Sequence, residues 1–152
     1  MRRSSGFTLI ELIVVIIILG LLAATAAPKF LNLQSEARAS TLKGLKAAIE
    51  SASSLVYSKS VITGVENSSS SNVSVGNSTV TTKYGYPTAD ANGILLSLDL
   101  SVGDWDSGAT ATGFALWPLS LGGAASSSCR VLYEASTSSG VRPSIAVSTT
   151  GC

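Results

Sequence analysis

Gly6-Phe7-Thr8-Leu9-Ile10-Glu11 opens the one stretch whose reading decides the fold. Residues 7–27 that follow from it are almost wholly apolar and carry a single ionisable side chain, Glu11. At about 1.5 Å per residue, a helix over this run reaches roughly 31 Å, about the thickness of a bilayer's hydrocarbon core. Leu, Ile and Val dominate it, so the stretch is a candidate membrane helix. Arg2 and Arg3 just before it favour a cytoplasmic N-terminus. A lone carboxylate inside such a span is costly and calls for a counter-charge.

Two plainer readings of this N-terminus stand beside the one developed below. Ala24-Thr25-Ala26 has the small-x-small form of a signal-peptidase site, so the segment could be an ordinary secretory signal. It could also be a simple single-pass anchor. Glu11 within the apolar run, and the length of that run, argue against a signal peptide; neither alternative has a use for Glu11.

Gly6 followed by Phe7-Thr8-Leu9-Ile10-Glu11 resembles the cleavage and assembly segment of type IV pilins and pseudopilins, a likeness that is strong to about Leu33 and fades beyond. The resemblance implies a leader of residues 1–6, cut after Gly6 by a prepilin peptidase, and methylation of the new amine at Phe7. That amine would be the counter-charge of Glu11 on a neighbouring subunit. The positive end of its own helix also favours Glu11. The resemblance further implies that the stretch between Gly20 and Pro28 loses helicity when subunits pack. Proline lacks the N–H that bonds back one turn, so a kink or loosened turn is expected before Pro28.

Composition sets limits on function. Of 152 residues, 10 are basic and 9 acidic; removing the leader leaves 8 basic side chains, too few for a nucleic-acid-binding field. The chain has no histidine, which removes Ser-His and Cys-His catalysis and the commonest transition-metal ligand. No enzymatic activity and no cofactor are expected.

After Pro28 the apolar positions become periodic. Leu42, Leu45, Ile49, Ala52 and Val56 recur at steps of three and four, one face of an amphipathic helix. The expectation is one helix from residue 7 to about residue 59, with a membrane and assembly half over 7–27 and an amphipathic half over 28–59. Residues 60–152 form the β-rich head. Glu36, Arg38, Lys43 and Lys46 lie mostly off the stripe and serve either inter-subunit pairing or a solvated face.

The segment 61–77 is polar and low in complexity. Asn67, Asn72 and Asn77 each begin an Asn-x-Ser/Thr triplet and read as turn composition. Val73, Val75 and residues 80–84 suggest an irregular strand or hairpin, closed by the turn residues Tyr84-Gly85-Tyr86-Pro87. Asp90, Ile94, Leu95 and Leu98 fit a short capped helix. Residues 112–116 are a candidate strand, and residues 129–135 with 144–148 a hairpin. Asp99, Asp104 and Asp106 are a weak calcium motif, and Tyr84, Tyr86, Trp105 and Trp117 a weak sugar-stacking set. A solvated loop and buried aromatics are the plainer readings. No metal site is assigned.

Two cysteines behind a membrane signal suggest one disulfide in an oxidising compartment. Cys152 closing on Cys129 resembles the C-terminal disulfide region of type IV pilins. The fold class expected is α+β, the type IV pilin fold. Within it, Tyr84-Gly85-Tyr86-Pro87, Gly93-Ile94-Leu95, Asp104-Trp105 and Cys129-Arg130-Val131 look like the mannose-sensitive haemagglutinin pilins of marine Gram-negative bacteria.

The function implied is a filament subunit for attachment and biofilm formation. Its partners would be further copies of itself, the peptidase and methylase, the inner membrane with its assembly machinery, and surface glycans. The subunit would lie in the inner membrane first and in an extracellular pilus afterwards. The alternatives are a type II secretion pseudopilin and a membrane-tethered binding module that does not polymerise.

Overall fold

The structure, a computed structural model, describes residues 6–101, 103–121 and 128–152, with Leu31 and Asn32 described in backbone only. Most of the basic leader, with Arg2 and Arg3, lies outside the described residues. The chain divides into two compact units at Ala37 and Arg38, and α1 (Leu9–Thr63) contributes to both.

In the N-terminal unit the helix is unbroken through Gly20 and Pro28. The kink or loosened turn expected before Pro28 does not break the helix of the single chain. Losing one backbone bond costs a few kcal/mol, but helix is already propagated on both sides, and nucleation is the expensive step. Leu9, Ile10, Ile17, Leu21 and Phe30 all leave most of their surface uncovered.

In the second unit, Leu42, Leu45, Ile49 and Val56 are buried as their spacing predicts. Ala52 is only half-buried. The stripe instead passes through Ser53 and Ser60, both buried. The Ser60 hydroxyl lies 3.0 Å from the Val56 carbonyl and 2.9 Å from that of Gly85, which makes a buried serine tolerable there. The helix ends at Thr63 rather than near residue 59. Gly64 has φ of +70°, its N–H donates to Val61, and that of Val65 to Ser60. This is a Schellman stop, which needs a residue free to take the left-handed conformation.

Two antiparallel sheets complete this unit. In the first, β1 (Ser71–Val75), β2 (Ser78–Lys83) and β3 (Tyr86–Pro87) lie in sequence order. Val73 faces Val80 across β1 and β2, and both are buried. Tyr84 and Gly85, with φ of 51° and 81°, form the turn into β3, the primed geometry that suits a hairpin's twist. The sequence reading ended the strand here; the turn instead adds two more paired residues.

In the second sheet, β4 (Trp105–Ala109), β5 (Phe114–Pro118), β6 (Arg130–Glu134) and β7 (Ser144–Ser148) are again in order. The strand β4 is missing from the sequence reading because Asp106, Ser107 and Gly108 have low strand propensity; pairing with the wholly buried β5 holds it. Asp90 Oδ1 accepts from the Gly93 N–H at 2.7 Å and caps a turn leading to a 3₁₀ segment, Leu95–Ser97, where a short helix is expected. The core joins Leu42, Leu45 and Ile49 of α1 to Ile94, Phe114, Leu116, Val131 and Tyr133. Cys129 and Cys152 are disulfide-bonded, with Cα atoms 5.0 Å apart.

Candidate functional site

Thr8 precedes the first helical residue, and its carbonyl accepts from the Leu12 N–H at 3.3 Å. Its own N–H and hydroxyl both donate to Glu11 Oε2, at 2.9 and 2.8 Å, while the Glu11 N–H lies 3.4 Å from the Thr8 hydroxyl. This is a capping box: the Thr8 N–H, which has no partner within the helix, finds one in the side chain three residues on, and the Glu11 N–H in return faces the Thr8 hydroxyl. The acid expected to serve assembly is therefore also part of its own helix start. Both Thr8 donors converge on Oε2, and Oε1 has no hydrogen bond or ion pair among the described residues. Phe7, directly before the cap, is 84% exposed.

Behind the cap runs an apolar cylinder. By length and composition, α1 is able to cross a membrane; its most apolar window has mean hydropathy 2.8, and none of that window is buried. Thr25 donates to the Leu22 carbonyl at 3.0 Å, so its hydroxyl is no polar break in the run. A Cβ at Gly20 would meet nothing within 4 Å. The site thus consists of a pre-set carboxylate, an exposed aromatic beside the Gly6-Phe7 bond, and an uncovered apolar helix.

The other sequence-predicted groups do not gather into sites. Among the described residues no three metal-ligating side chains come together. Of the three acids near Trp105, Asp106 accepts from its neighbour Ser107 at 2.8 Å. The aromatic set disperses. Tyr86 is buried and stacked on Tyr57, ring centroids 4.5 Å apart, Trp117 is buried over Gly108, and Trp105 packs on the core. Asn67 spends its amide locally, donating to Glu66 and accepting from Ser139. Lys46 pairs with Glu50 along the helix at 3.7 Å.

Sequence reasoning missed the link between Arg38 and Cys152. Arg38 Nη1 donates to the Cys152 carbonyl at 3.2 Å, tying α1 to the disulfide. Nothing in the sequence joins residues 114 positions apart, although a charged residue next to an apolar stripe is a signal of a partner.

Residues 1–27 match the family described as the prokaryotic N-terminal methylation motif. The chain carries a prokaryotic N-terminal methylation motif. It is 46% identical over 50 residues to a type IV narrow pilus major component, PilA5, of Thermus thermophilus, covering 33% of this chain and 43% of that one. It is 45% identical over 51 residues to the type II secretion system core protein G of Pseudomonas aeruginosa, 34% of this chain and 36% of that one. It is 40% identical over 57 residues to the type IV major pilin protein PilA of Myxococcus xanthus, 38% of this chain and 26% of that one. The chain thus spans less than half the length of the curated relatives it matches. No solved structure matches it significantly. The long apolar helix, antiparallel sheets and C-terminal disulfide have the form of the type IV pilin fold.

Proposed function

We propose that this chain is a structural subunit of a type IV pilus, cut after Gly6, methylated at Phe7 and polymerised through its N-terminal helix. The observation that carries this reading is the capping box with one carboxylate oxygen unspent. Cleavage turns Phe7 into a cationic terminus, and Glu11 of a neighbouring copy has Oε1 free to receive it. In lipid, helices gain no hydrophobic driving force by associating, so packing and polar pairing must choose the register. Gly20 and Pro28 supply the place where the helix loosens as copies pack.

The precursor lies in the inner membrane with its N-terminus cytoplasmic, is processed by a prepilin peptidase and methylase, and is handed to the assembly machinery. The chain is no enzyme itself. The scattered head motifs around Tyr84-Gly85-Tyr86-Pro87 and Cys129-Arg130-Val131 support the narrower likeness to mannose-sensitive haemagglutinin pilins, and with it attachment and biofilm formation through surface glycans.

Intact mass and N-terminal mapping on material sheared from cells test this. A methylated chain starting at Phe7, two hydrogens light, is expected. Glu11→Ala should leave cleavage intact and reduce filament yield; normal piliation in that variant would sink the register role. The identity to core protein G favours a second reading, a secretion-system pseudopilin. A processed chain confined to the membrane fraction would decide for it.

A further inference from the structure

Phe30 and Leu33 sit on one face of α1, three residues apart, and are 68% and 55% exposed. Ala27 and Ala37 extend this face and, with Gln34, line its apolar surface. Phe30 and Leu33 lie beyond the 21-residue span of 7–27 that a bilayer's hydrocarbon core can cover. A large apolar pair left in or near water is a docking feature.

The second unit carries a matching recess. Ala48, Ala52 and Leu55 of α1 recur at steps of four and three and form one wall, and Leu98 and Leu100 form the other. The recess is open, with a volume of about 310 Å³, and its lining is mainly apolar. Leu55 is 53% exposed and nearby Leu96 43%, so this surface too lacks a cover. Alanines on the helix wall let a second helix approach closely.

Charge selects between possible occupants. Asp99 is at the rim of the recess and Lys29 is next to Phe30; neither side chain has a hydrogen bond or ion pair among the described residues.

We propose that the face of one copy carrying Phe30 and Leu33 docks into the recess of a second copy between Ala48, Ala52, Leu55 and Leu98, Leu100, with Lys29 of the first copy facing Asp99 of the second. This rests on the filament reading and deepens it by naming a contact outside the membrane-spanning run.

The test uses full-length chains in cells that make the filament. Two forms are co-expressed, one with Phe30→Cys and one with Leu98→Cys, and sheared filaments are treated with a short bismaleimide. A dimer that survives reduction is expected only from the co-expressed pair, and not when Leu119→Cys, an exposed head residue outside the recess, replaces Leu98→Cys. Because Phe30→Cys itself trims the docking face, charge exchange provides a second reading. Lys29→Asp and Asp99→Lys alone should each lower filament yield roughly tenfold, and together restore it. Cleavage at Gly6, followed in the same cells, separates an assembly loss from an insertion loss. Filaments with neither the crosslink nor the charge-exchange pattern would overturn this docking and leave the filament reading standing. A wild-type chain that forms no filament would overturn both.

Discussion

The hydroxyl of Tyr133, on β6, donates to the carbonyl of Pro87, on β3, at 2.8 Å, a buried polar link between the two sheets of the head. Tyr133 also belongs to the core cluster, so one residue both packs the core and joins the sheets. Tyr133→Phe keeps the ring and removes only the donor. The Pro87 carbonyl is then buried without its partner, which costs about 1–3 kcal/mol. Thermal unfolding of the detergent-solubilised chain should show a midpoint several degrees lower. An unchanged midpoint would mean that the sheets are held together by packing alone.

The same burial predicts a pH dependence. Loss of solvation pushes the Tyr133 phenol well above a tyrosine's ordinary value of 10.0. The folded state then holds this proton more tightly than the unfolded state does, so stability falls as pH rises. The contribution is complete below about pH 10 and is lost progressively above it. Denaturant unfolding from pH 8 to 11 should show a steeper loss above pH 10 in the wild type than in Tyr133→Phe. Parallel curves would remove Tyr133 as the cause.

Gly113 bears on the neighbouring strand. A Cβ there would come within 2.2 Å of the Tyr133 carbonyl, far inside contact distance. The position also closes the turn between β4 and β5, where the Thr110 hydroxyl accepts from the Gly113 N–H at 3.1 Å. Backbone cannot yield as a flexible side chain can, so Gly113→Ala should cost more than about 2 kcal/mol. Gly103, which has open space around it, is the control, and Gly103→Ala should be near neutral. Equal melting midpoints for the two variants would contradict the close approach of β5 to β6.

The sequence made the apolar helix legible because a long apolar run and its period are local signals. It also revealed the hairpin of β6 and β7, where buried Val131 and Tyr133 alternate with half-buried neighbours. What escaped depended on partners distant in sequence. Ser53 and Ser60 replace apolar residues on the buried stripe, and Ser60 does so because Gly85 offers a carbonyl. The strand β4 exists by pairing rather than propensity. At the N-terminus, Glu11 is conspicuous as a lone charge, and its bond to Thr8 follows from the capping-box spacing of Thr8-Leu9-Ile10-Glu11.

Arg38 offers a test of how the disulfide acts. Closing a loop of about 24 residues stabilises by roughly 3–4 kcal/mol through the unfolded chain. In the folded chain the bond also presents the Cys152 carbonyl to Arg38. Replacing both cysteines by alanine should therefore lower stability by about that amount, and Arg38→Ala by about 1 kcal/mol. Combined, the losses should be less than additive, because without the disulfide Cys152 is no longer held where Arg38 needs it. Strict additivity in denaturant unfolding would show that the two act independently.

The unbroken helix through Gly20 and Pro28 leads to the last prediction. In the single chain, this run is helical although none of its residues is buried, so propagation along the helix is its main support. Pro28 has no N–H to donate to the carbonyl of Ala24, and Gly20 loses about 1 kcal/mol of helix propensity against alanine. Stabilisation per residue is therefore lowest between them. Packing against other copies can extend this stretch at small cost if it improves contacts on either side. A filament map should show extended backbone between Gly20 and Pro28 in wild type, and more helix in the Gly20→Ala, Pro28→Ala variant. Filaments of that variant should be shorter per subunit, because helix rises about 1.5 Å per residue and extended chain about 3.3 Å. Continuous helix in the wild-type filament would show that the weak point is never used.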